Sequence, residues 1–289
     1  MQIGISSYSY ERLSRRGEID SFGIIKKTKE FGFEAIEFSG IPGDTYEKRV
    51  ALAKDIKKAC EDAGLMIANF STGADLIKGS DWDLVKETDR IKKEIDIAAI
   101  LGVDKMRHDT SFGFCAGDPK ARTLDHYLDR IAKGCKILTT YAKGAGIRTM
   151  TENHGKYCQH SSDVIKIYNA VDDDNFGCLI DFGNFLCVDE DPVEGVSELA
   201  PFAFHVHAKD FHFKEGSAMN PGNGWFISKG GNYLRGSIIG HGDVPLRECI
   251  NVLKTYNYTG VLSIEFEGME DNFTAIEYGY NNLKRLVNG

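Results

Sequence analysis

The sequence has no long apolar run and no excess of positive charge, and both absences narrow what the chain can do. None of its hydrophobic stretches approaches the roughly 20 residues that a membrane-spanning helix needs. Its 289 residues include 35 Lys and Arg but 43 Asp and Glu, which gives a formal net charge of −8. A nucleic-acid backbone as main partner would require clustered Lys and Arg. We therefore expect neither a membrane nor a nucleic acid as a partner.

Disulfide and zinc-finger spacings are also missing. The seven cysteines are odd in number and include no Cys-x-x-Cys pair. The chain starts with a strand-like segment, Met1–Ile5, and not with the basic and then apolar residues of a secretion signal. Free thiols without such a signal are typical of the reducing cytoplasm. The expected location is therefore cytoplasmic.

Short apolar runs alternate with longer helical patterns along the whole chain, one of which is Pro119–Gly144. Strict alternation predicts a parallel sheet, and about eight units close a barrel. An open doubly wound sheet is the alternative, but the Gly-rich nucleotide loops expected there are absent. We expect one α/β domain over residues 1–289, a (β/α)8 TIM barrel. The predicted strands are Gln2–Ser7, Ala35–Phe38, Met66–Phe70, Lys105–His108, Arg148–Asn153, Cys178–Asp181, Ala203–His207 and Leu262–Phe266.

One connection breaks the alternation. Between the seventh and eighth predicted strands, residues 210–245 form a long segment rich in Gly, Asn and aromatic residues. Loops of this length inside a compact domain are usually functional or disordered. The aromatic side chains Trp225, Phe226 and Tyr233 favour an ordered lid over the barrel rim, and a variable surface loop is the alternative.

Four predicted strands end in side chains that can bind a metal: Glu152, Asp181, His207 and Glu265. In a parallel barrel the carboxyl ends of all strands meet at one rim. A charge buried there must be paired or bound to a metal. Three carboxylates and one imidazole suit a single divalent ion, first Mn²⁺, with Mg²⁺, Co²⁺ or Zn²⁺ as alternatives. An ion-pair network at the barrel mouth is the competing interpretation.

Further polar residues lie near the same strand ends. His154 is two residues after Glu152, so both side chains can point to the same face. A neutral histidine can act as a base near pH 7, which makes His154 a catalytic candidate beside Glu152 and Glu265. His108 could contact substrate or cap its strand. The other residues expected to contact substrate are Arg107, Asn184, Lys209, Trp225 and His241.

The chain resembles the xylose-isomerase-like TIM barrels, a group of sugar-phosphate isomerases and epimerases that also contains endonuclease IV. The resemblance spans nearly the whole chain, and in that family one divalent metal, often manganese, binds at the residues matching Glu152, Asp181, His207 and Glu265. Asn184 departs from the family pattern, since epimerases often carry a substrate-binding His there. The acidic charge balance of the chain disfavours the nuclease branch. The segments that carry the resemblance are Gly32–Glu37, Thr151–Asn153, Leu179–Asn184, His205–Asp210, Ile239–Asp243 and Ser263–Glu265.

The resemblance implies a metal-dependent enzyme that removes a proton next to the carbonyl of a sugar or keto-sugar through a metal-stabilised enediolate. The first hypothesis is an isomerase or epimerase, in which the residues matching Glu152 and Glu265 move protons. The alternative is a lyase with His154 as base, similar to the metal-bearing subunit of bacterial C-glycoside deglycosidases. That enzyme acts on 3-oxo-glycosides with a small β-rich partner subunit. A non-catalytic sugar-binding barrel is the least favoured hypothesis. We expect a homo-oligomer or, with such a partner, a hetero-oligomer.

Overall fold

A closed barrel of eight parallel strands forms the centre of the computed structural model, which describes residues 1–113, 123–155 and 157–289. The predicted barrel is thereby confirmed. Each predicted strand matches an observed one to within about two residues at either end. The barrel strands are β1 Gln2–Ser6, β2 Ala35–Ser39, β3 Met66–Thr72, β4 Lys105–His108, β5 Arg148–Glu152, β6 Phe176–Asp181, β7 Ala203–Ala208 and β11 Val261–Ile264.

Helices connect the strands and cover the barrel from outside. The predicted helix Pro119–Gly144 begins among residues that lie outside the described part of the chain, and its described α-helix starts at Leu128. The helices are α1 Glu11–Arg15, α2 Ser21–Glu30, α3 Tyr46–Ala63, the irregular turn α4 Gly79–Trp82, α5 Leu84–Leu101, α6 Leu128–Lys143, α7 Ser161–Val171, α8 Pro192–Leu199, α9 Leu246–Thr255 and α10 Asn272–Asn288. Among the described helices, none is both long and apolar enough to cross a bilayer.

Local sequence signals define the ends of the long helices. Asp20 begins α2 and Thr45 begins α3, and each side chain accepts a hydrogen bond from the backbone N–H three residues later. Gly64 ends α3 and Gly102 ends α5 with left-handed φ values of 60° and 80°. Glycine adopts this conformation at little cost, so both helices stop where a strand must begin.

The strand register places the functional candidates side by side. Around the barrel the order is β1, β11, β7, β6, β5, β4, β3 and β2, with β2 returning to β1. His207 on β7 lies beside Asp181 on β6 and beside Ser263 on β11. Because all strands are parallel, their carboxyl ends open at one face of the barrel.

Residues 210–245 are more ordered than a loop. They contain a three-stranded antiparallel sheet of β8 Asp210–Lys214, β10 Tyr233–Ser237 and β9 Phe226–Ile227. Phe211 and Leu234 are buried with Cys187 in a small core beneath this sheet. The sheet is therefore fastened to the barrel rim by its own apolar contacts.

Candidate metal site and active site

The four expected metal ligands converge at the carboxyl end of the barrel. Glu152 and Asp181 are the last residues of β5 and β6, His207 is near the end of β7, and Glu265 directly follows β11. One ligand atom from each residue lies within 4.8 Å of the others. These residues are up to 113 positions apart in the sequence, and the barrel fold brings them together.

The distances around His207 leave room for an ion. Its Nδ1 atom lies 3.7 Å from Asp181 Oδ2, 3.6 Å from Glu265 Oε1 and 3.9 Å from Glu152 Oε1. Two ligands of one ion with bonds of roughly 2.0–2.3 Å lie about 3–4.5 Å apart. The four atoms are thus spaced as ligands of a shared cation.

Two of these atoms are buried without any hydrogen-bond partner in the described structure. They are His207 Nδ1 and Asp181 Oδ2, and the latter forms an ion pair with Lys209 Nζ at 3.2 Å. Such groups carry a free-energy cost unless something in the site satisfies them. Both point at the space between the four ligands, so this donor set fits a divalent cation.

The turn after β6 fixes how Asp181 faces the site. Its Oδ1 accepts hydrogen bonds from the backbone N–H groups of Gly183, at 2.9 Å, and Asn184, at 3.0 Å. The Asn153 side chain donates to the Asp181 carbonyl at 2.9 Å and accepts from its N–H at 2.8 Å. With Oδ1 occupied in this way, Oδ2 is the oxygen that remains available to an ion.

A buried carboxylate on β2 orients His207. Glu37 Oε2 lies 2.8 Å from His207 Nε2 and 3.0 Å from His205 Nε2, and all three side chains are essentially inaccessible to solvent. Burial alone would raise the pKa of Glu37, but the two histidines hold it well below its usual range. The Nε2–H bond to Glu37 leaves His207 Nδ1 as the ligand atom, a common arrangement around metal sites.

On the β7 and β11 side of the site, Lys209 compensates negative charge. Its Nζ lies 2.7 Å from Glu265 Oε2, 3.2 Å from Asp181 Oδ2 and 3.6 Å from Glu267 Oε2. Burial opposes ionisation of Lys209, yet these carboxylates raise its pKa well above the usual value. Burial would also raise the pKa of Glu265, but Lys209 and His207 lower it below the usual range. Lys209 is thus a fixed buried cation.

On the β4 and β5 side, a chain of contacts leads from Glu152 to His154. Arg107 Nη2 lies 2.5 Å from Glu152 Oε2 and 2.7 Å from Asp109 Oδ1, and that same Asp109 oxygen lies 3.0 Å from His154 Nδ1. The His154 side chain is 41% exposed. In the described part of the chain its hydrogen bond is made through Nδ1, and the residue lines the pocket at the barrel mouth.

The charged groups in this series of contacts shift one another's pKa values. Burial lowers the pKa of His154, but the hydrogen bond and charge of Asp109 outweigh that effect and raise it above the usual value. Burial raises the pKa of Asp109, but Arg107 and His154 reverse this and lower it. The pKa of Glu152 remains raised, because burial exceeds the attraction of Arg107.

These groups line a pocket of about 140 Å³ at the barrel mouth. Tyr8 closes one side, and burial followed by the charges of Glu267 and Glu265 raises its pKa to about 12, so its hydroxyl stays protonated near neutral pH. The lining residues are Tyr8, Glu37, Ser39, Ser71, Arg107, Glu152, His154, His207, Lys209, Glu265 and Glu267.

Several residues expected to contact substrate lie elsewhere. His108 is fully buried beside Phe176, because neighbouring residues on a strand point to opposite faces and Arg107 takes the interior one. Trp225 stacks 5.8 Å from the charged groups of both Lys214 and Arg235, and it is not among the residues that line the pocket. His241 lines a separate groove along α10.

Asn184 contacts the site through the ligands. Its amide nitrogen donates to Glu152 Oε1 at 3.0 Å, and its Oδ1 accepts from Lys209 at 3.2 Å. The side chain is buried and links the two sides of the pocket. In this structure its neutral amide is therefore engaged with Glu152 and Lys209.

The sequence argument missed Glu37, Asp109 and Tyr8 as parts of the site. Glu37 carried a detectable signal, since it is a charged residue inside the apolar strand Ala35–Ser39. A charge in such a strand must find a buried partner. Its partner His207 is 170 residues away, which no local pattern reveals.

Curated relatives cover part of this chain. The inosose dehydratase of Clostridium perfringens (strain 13 / Type A) is 26% identical over 157 residues, 54% of this chain and 52% of that protein. The inosose dehydratase of Clostridium botulinum (strain Alaska E43 / Type E3) is 26% identical over 162 residues, 56% and 54% of the two chains. The matched region thus spans about half the length of these relatives.

Solved structures match the whole fold at low sequence identity. D-psicose 3-epimerase, solved in the presence of D-fructose, has a TM-score of 0.75 at 16% identity and covers 100% of both chains. The probable 3-DHS dehydratase AsbF of Bacillus anthracis has a TM-score of 0.71 at 17% identity over 99% of this chain and 98% of its own. Identities this low establish shared architecture.

The family-level comparison covers most of the barrel. The family described as xylose isomerase-like TIM barrel matches residues 25–286, which include all four converging ligands. The expected resemblance is confirmed by this match and by the architecture of the solved structures. This chain belongs to the xylose isomerase-like TIM barrel family.

Proposed function

We propose that this protein is a metal-dependent lyase that eliminates a leaving group β to the carbonyl of a polyhydroxylated ring, such as a keto-cyclitol or a 3-oxo-glycoside. The observation that carries the proposal is the His154–Asp109 pair at the mouth of the metal site, with Nδ1 held at 3.0 Å and the His154 side chain lining the pocket. Glu152, Asp181, His207 and Glu265 would hold the ion. A bound divalent cation would supply Lewis-acid polarisation of the substrate carbonyl, which acidifies the neighbouring C–H.

The excess of carboxylates supports a resident cation. Glu37, Glu152, Asp181 and Glu265 surround His207, while Lys209 and Arg107 are the fixed cations that line the pocket. Carboxylates buried together repel each other unless positive charge compensates them. A divalent ion between the four ligands would supply the compensation that Lys209 and Arg107 leave incomplete.

His154 would perform the proton transfer. Its Nε2 accepts the proton from the carbon next to the carbonyl, and Asp109 stabilises the imidazolium that results. The electron pair of the broken C–H bond forms a carbon–carbon double bond, and the β carbon–oxygen bond breaks. The His154 imidazolium then returns the proton to the departing oxygen, so the products are an unsaturated ketone and water or an alcohol. Lys209 places a fixed positive charge near the carbonyl oxygen, where negative charge develops.

A second function, isomerisation or epimerisation, is favoured by one observation. Glu152 and Glu265 face each other across the site, as two acid–base groups of an epimerase would. Each, however, is engaged by a buried cation, Glu152 by Arg107 at 2.5 Å and Glu265 by Lys209 at 2.7 Å. Although burial raises the pKa of Glu265, Lys209 and His207 lower it and make this carboxylate a weaker base, whereas burial keeps the pKa of Glu152 raised. Only one of the two carboxylates is thus suited to accept a proton, which places elimination ahead of a two-carboxylate epimerisation.

The activities named for relatives support the same reaction class. Curated relatives are named inosose dehydratase, and one structural neighbour is a probable 3-DHS dehydratase. Other structural neighbours are sugar epimerases, including 3-keto-D-glucoside 4-epimerase from E. coli. Each of these names refers to a substrate that is a polyhydroxylated compound with a carbonyl group.

The test is product identification. The Mn²⁺-loaded protein is incubated in D₂O with an inosose and, separately, with phenyl 3-oxo-β-D-glucopyranoside, and the products are followed by NMR and by enone absorbance. The proposal predicts an unsaturated ketone together with released water or phenol. Stereochemical inversion with deuterium uptake and an unchanged carbon–oxygen skeleton would instead establish the epimerase. Absence of both reactions with these substrates would contradict the proposed function.

A further inference from the structure

A second pocket adjoins the metal pocket between the connections that follow β1 and β2. Its volume is about 550 Å³. Its walls are predominantly apolar and include Ile19, Phe22, Ile24, Ile41 and Leu52. We call this cavity the β1–β2 pocket.

Two residues line both cavities, so the two are adjacent. Tyr8 follows β1 and Ser39 ends β2, and both belong to the walls of the metal pocket and of the β1–β2 pocket. The metal pocket of about 140 Å³ is smaller than the roughly 300–1,000 Å³ typical of ligand pockets, whereas the neighbour falls within that range. A ligand larger than the metal pocket would therefore have its nearest apolar space beside Tyr8 and Ser39.

The charges in the β1–β2 pocket exclude one class of substituent. No Lys or Arg occurs among the described residues that line it. Its two carboxylates are already engaged, since Asp20 accepts the Gly23 N–H at 2.8 Å and Glu11 pairs with Arg15 at 2.7 Å. A phosphate or another anion would find no counter-charge there, and a neutral apolar group would bury against hydrocarbon walls.

We propose that the β1–β2 pocket binds a neutral, flat apolar substituent of the substrate, of phenyl size or larger, while the carbonyl-bearing ring lies at the metal site. The substrate is then a two-part molecule of the glycoside type, and the apolar part is also the leaving group. This inference rests on the proposed function for the chemistry, but the pocket itself is defined by geometry alone.

A third cavity competes for the same role and fits it less well. It is about 280 Å³ in volume and shares Tyr8 and Glu267 with the metal pocket. Phe226 and Phe266 line it, but so do Arg12 and Arg15, whose charges suit an acidic group better than a neutral one. The larger pocket with the less charged walls is therefore the site assigned to the apolar substituent.

The test fills the β1–β2 pocket without touching the metal ligands. Ser21 lines this pocket at the first residue of α2, so Ser21→Trp places an indole inside it. The matched control is Ser162→Trp, at the second residue of α7, where the serine is exposed. Circular dichroism and manganese content verify that both variants fold and load. Phe22→Ala is the second variant, because it removes a wall of the pocket and adds no bulk.

The kinetic probes are benzyl and methyl 3-oxo-β-D-glucopyranoside, whose leaving alcohols have nearly the same acidity. We expect wild type and Ser162→Trp to prefer the benzyl compound in kcat/KM by about tenfold or more, as expected for a large apolar group that gains a pocket. Ser21→Trp should lose this preference and keep its rate with the methyl compound, and Phe22→Ala should reduce the preference several-fold. An undiminished preference in Ser21→Trp and in Phe22→Ala would overturn the proposal.

A binding experiment separates this proposal from the proposed function. Saturation-transfer NMR with unoxidised phenyl β-D-glucopyranoside needs no turnover. We expect transfer to the phenyl protons in wild type and Ser162→Trp, with a loss in Ser21→Trp. If neither glycoside reacts but this pattern holds, the reaction is wrong and the pocket assignment stands. If the glycosides react but the phenyl signal is equal in all variants, the pocket assignment is wrong.

Discussion

The two sides of the metal pocket are alike in charge and different in chemistry. On each side a carboxylate ligand faces a buried cation, Glu152 with Arg107 and Glu265 with Lys209. Only the β4–β5 side continues to an aspartate–histidine pair whose histidine lines the pocket. On the β7–β11 side Lys209 also contacts Asp181 and Glu267, so its charged group lies among the expected metal ligands.

This difference indicates that the two sides of the pocket have separate roles in catalysis. A cation between several carboxylates offsets their repulsion and stays charged, which suits binding and the stabilisation of developing negative charge. A histidine whose one nitrogen is fixed by a carboxylate can exchange a proton at the other. We infer that the β4–β5 side transfers protons and the β7–β11 side holds charge. The predictions below test that division.

Removal of one metal ligand should abolish both metal binding and catalysis. Asp181→Ala deletes an expected ligand whose Oδ2 is buried 3.7 Å from His207 Nδ1, so the ion has no fourth partner. We expect loss of bound Mn²⁺ in elemental analysis and a fall in kcat/KM of roughly a thousandfold or more, equivalent to about 4 kcal/mol. Asp174→Ala, at an exposed carboxylate, is the control and should be unchanged. Retention of the ion by Asp181→Ala would contradict the ligand assignment.

Removal of the proposed base, His154, should leave metal binding intact. We expect His154→Ala to reduce kcat roughly a hundredfold or more, as is typical for loss of a general base, with one ion still bound per chain. His241→Ala is the control, since His241 lies in a groove on α10 outside the metal pocket. Enone formation is the measurement. Undiminished enone formation in His154→Ala would transfer the role of base to a carboxylate and contradict the role assigned to His154.

Removal of the charge-holding side should act mainly on stability. Lys209→Met leaves Asp181 and Glu265 buried without their cation, and such a loss typically costs about 3–5 kcal/mol. Urea unfolding of metal-free protein should show this decrease in the free energy of unfolding. Lys143→Met is the matched control, because that lysine forms an exposed pair with Asp173 and such pairs contribute about 0–1 kcal/mol. Equal effects of the two changes would refute the role assigned to Lys209.

The pH dependence of metal binding should be the smallest effect. Burial opposes protonation of His207, but the charges of Glu37 and Glu265 raise its pKa well above the usual value in the metal-free protein. Below that raised pKa a proton occupies the imidazole, and an ion must displace it. Affinity for Mn²⁺ should therefore rise with pH above the ordinary histidine range, by up to about tenfold per pH unit for one displaced proton. Isothermal titrations at pH 6, 7 and 8 measure this, and a flat profile would contradict it.

The sequence was most informative where a local pattern and the topology act together. Strand β6 was predicted from Cys178 and begins at Phe176, and its final residue Asp181 was placed correctly. Apolar runs define such strands, and parallel closure places their ends together. The family membership followed from the same strand-end motifs.

The sequence was least informative about side-chain direction and long connections. Strand alternation would have separated Arg107 from His108, because adjacent residues cannot both face the interior. No such rule covers residues 210–245, where aromatic composition indicates order but not which way Trp225 points. Pairing of Glu37 with His207 depends on closure of the whole barrel. The isomerase hypothesis, ranked first, likewise rested on the resemblance to the family. The contacts of His154 instead support the proposed lyase.

The most direct test of the divided pocket is enone formation with release of phenol in D₂O, measured by NMR on Mn²⁺-loaded wild type, His154→Ala and Lys209→Ala. Phenyl 3-oxo-β-D-glucopyranoside is the substrate, and the bound ion is quantified in each sample. The account predicts that enone formation is lost in His154→Ala with its ion retained, and that Lys209→Ala still forms the enone when its ion is bound. Enone formation that persists without His154 and disappears in Glu265→Gln with its ion retained would contradict it.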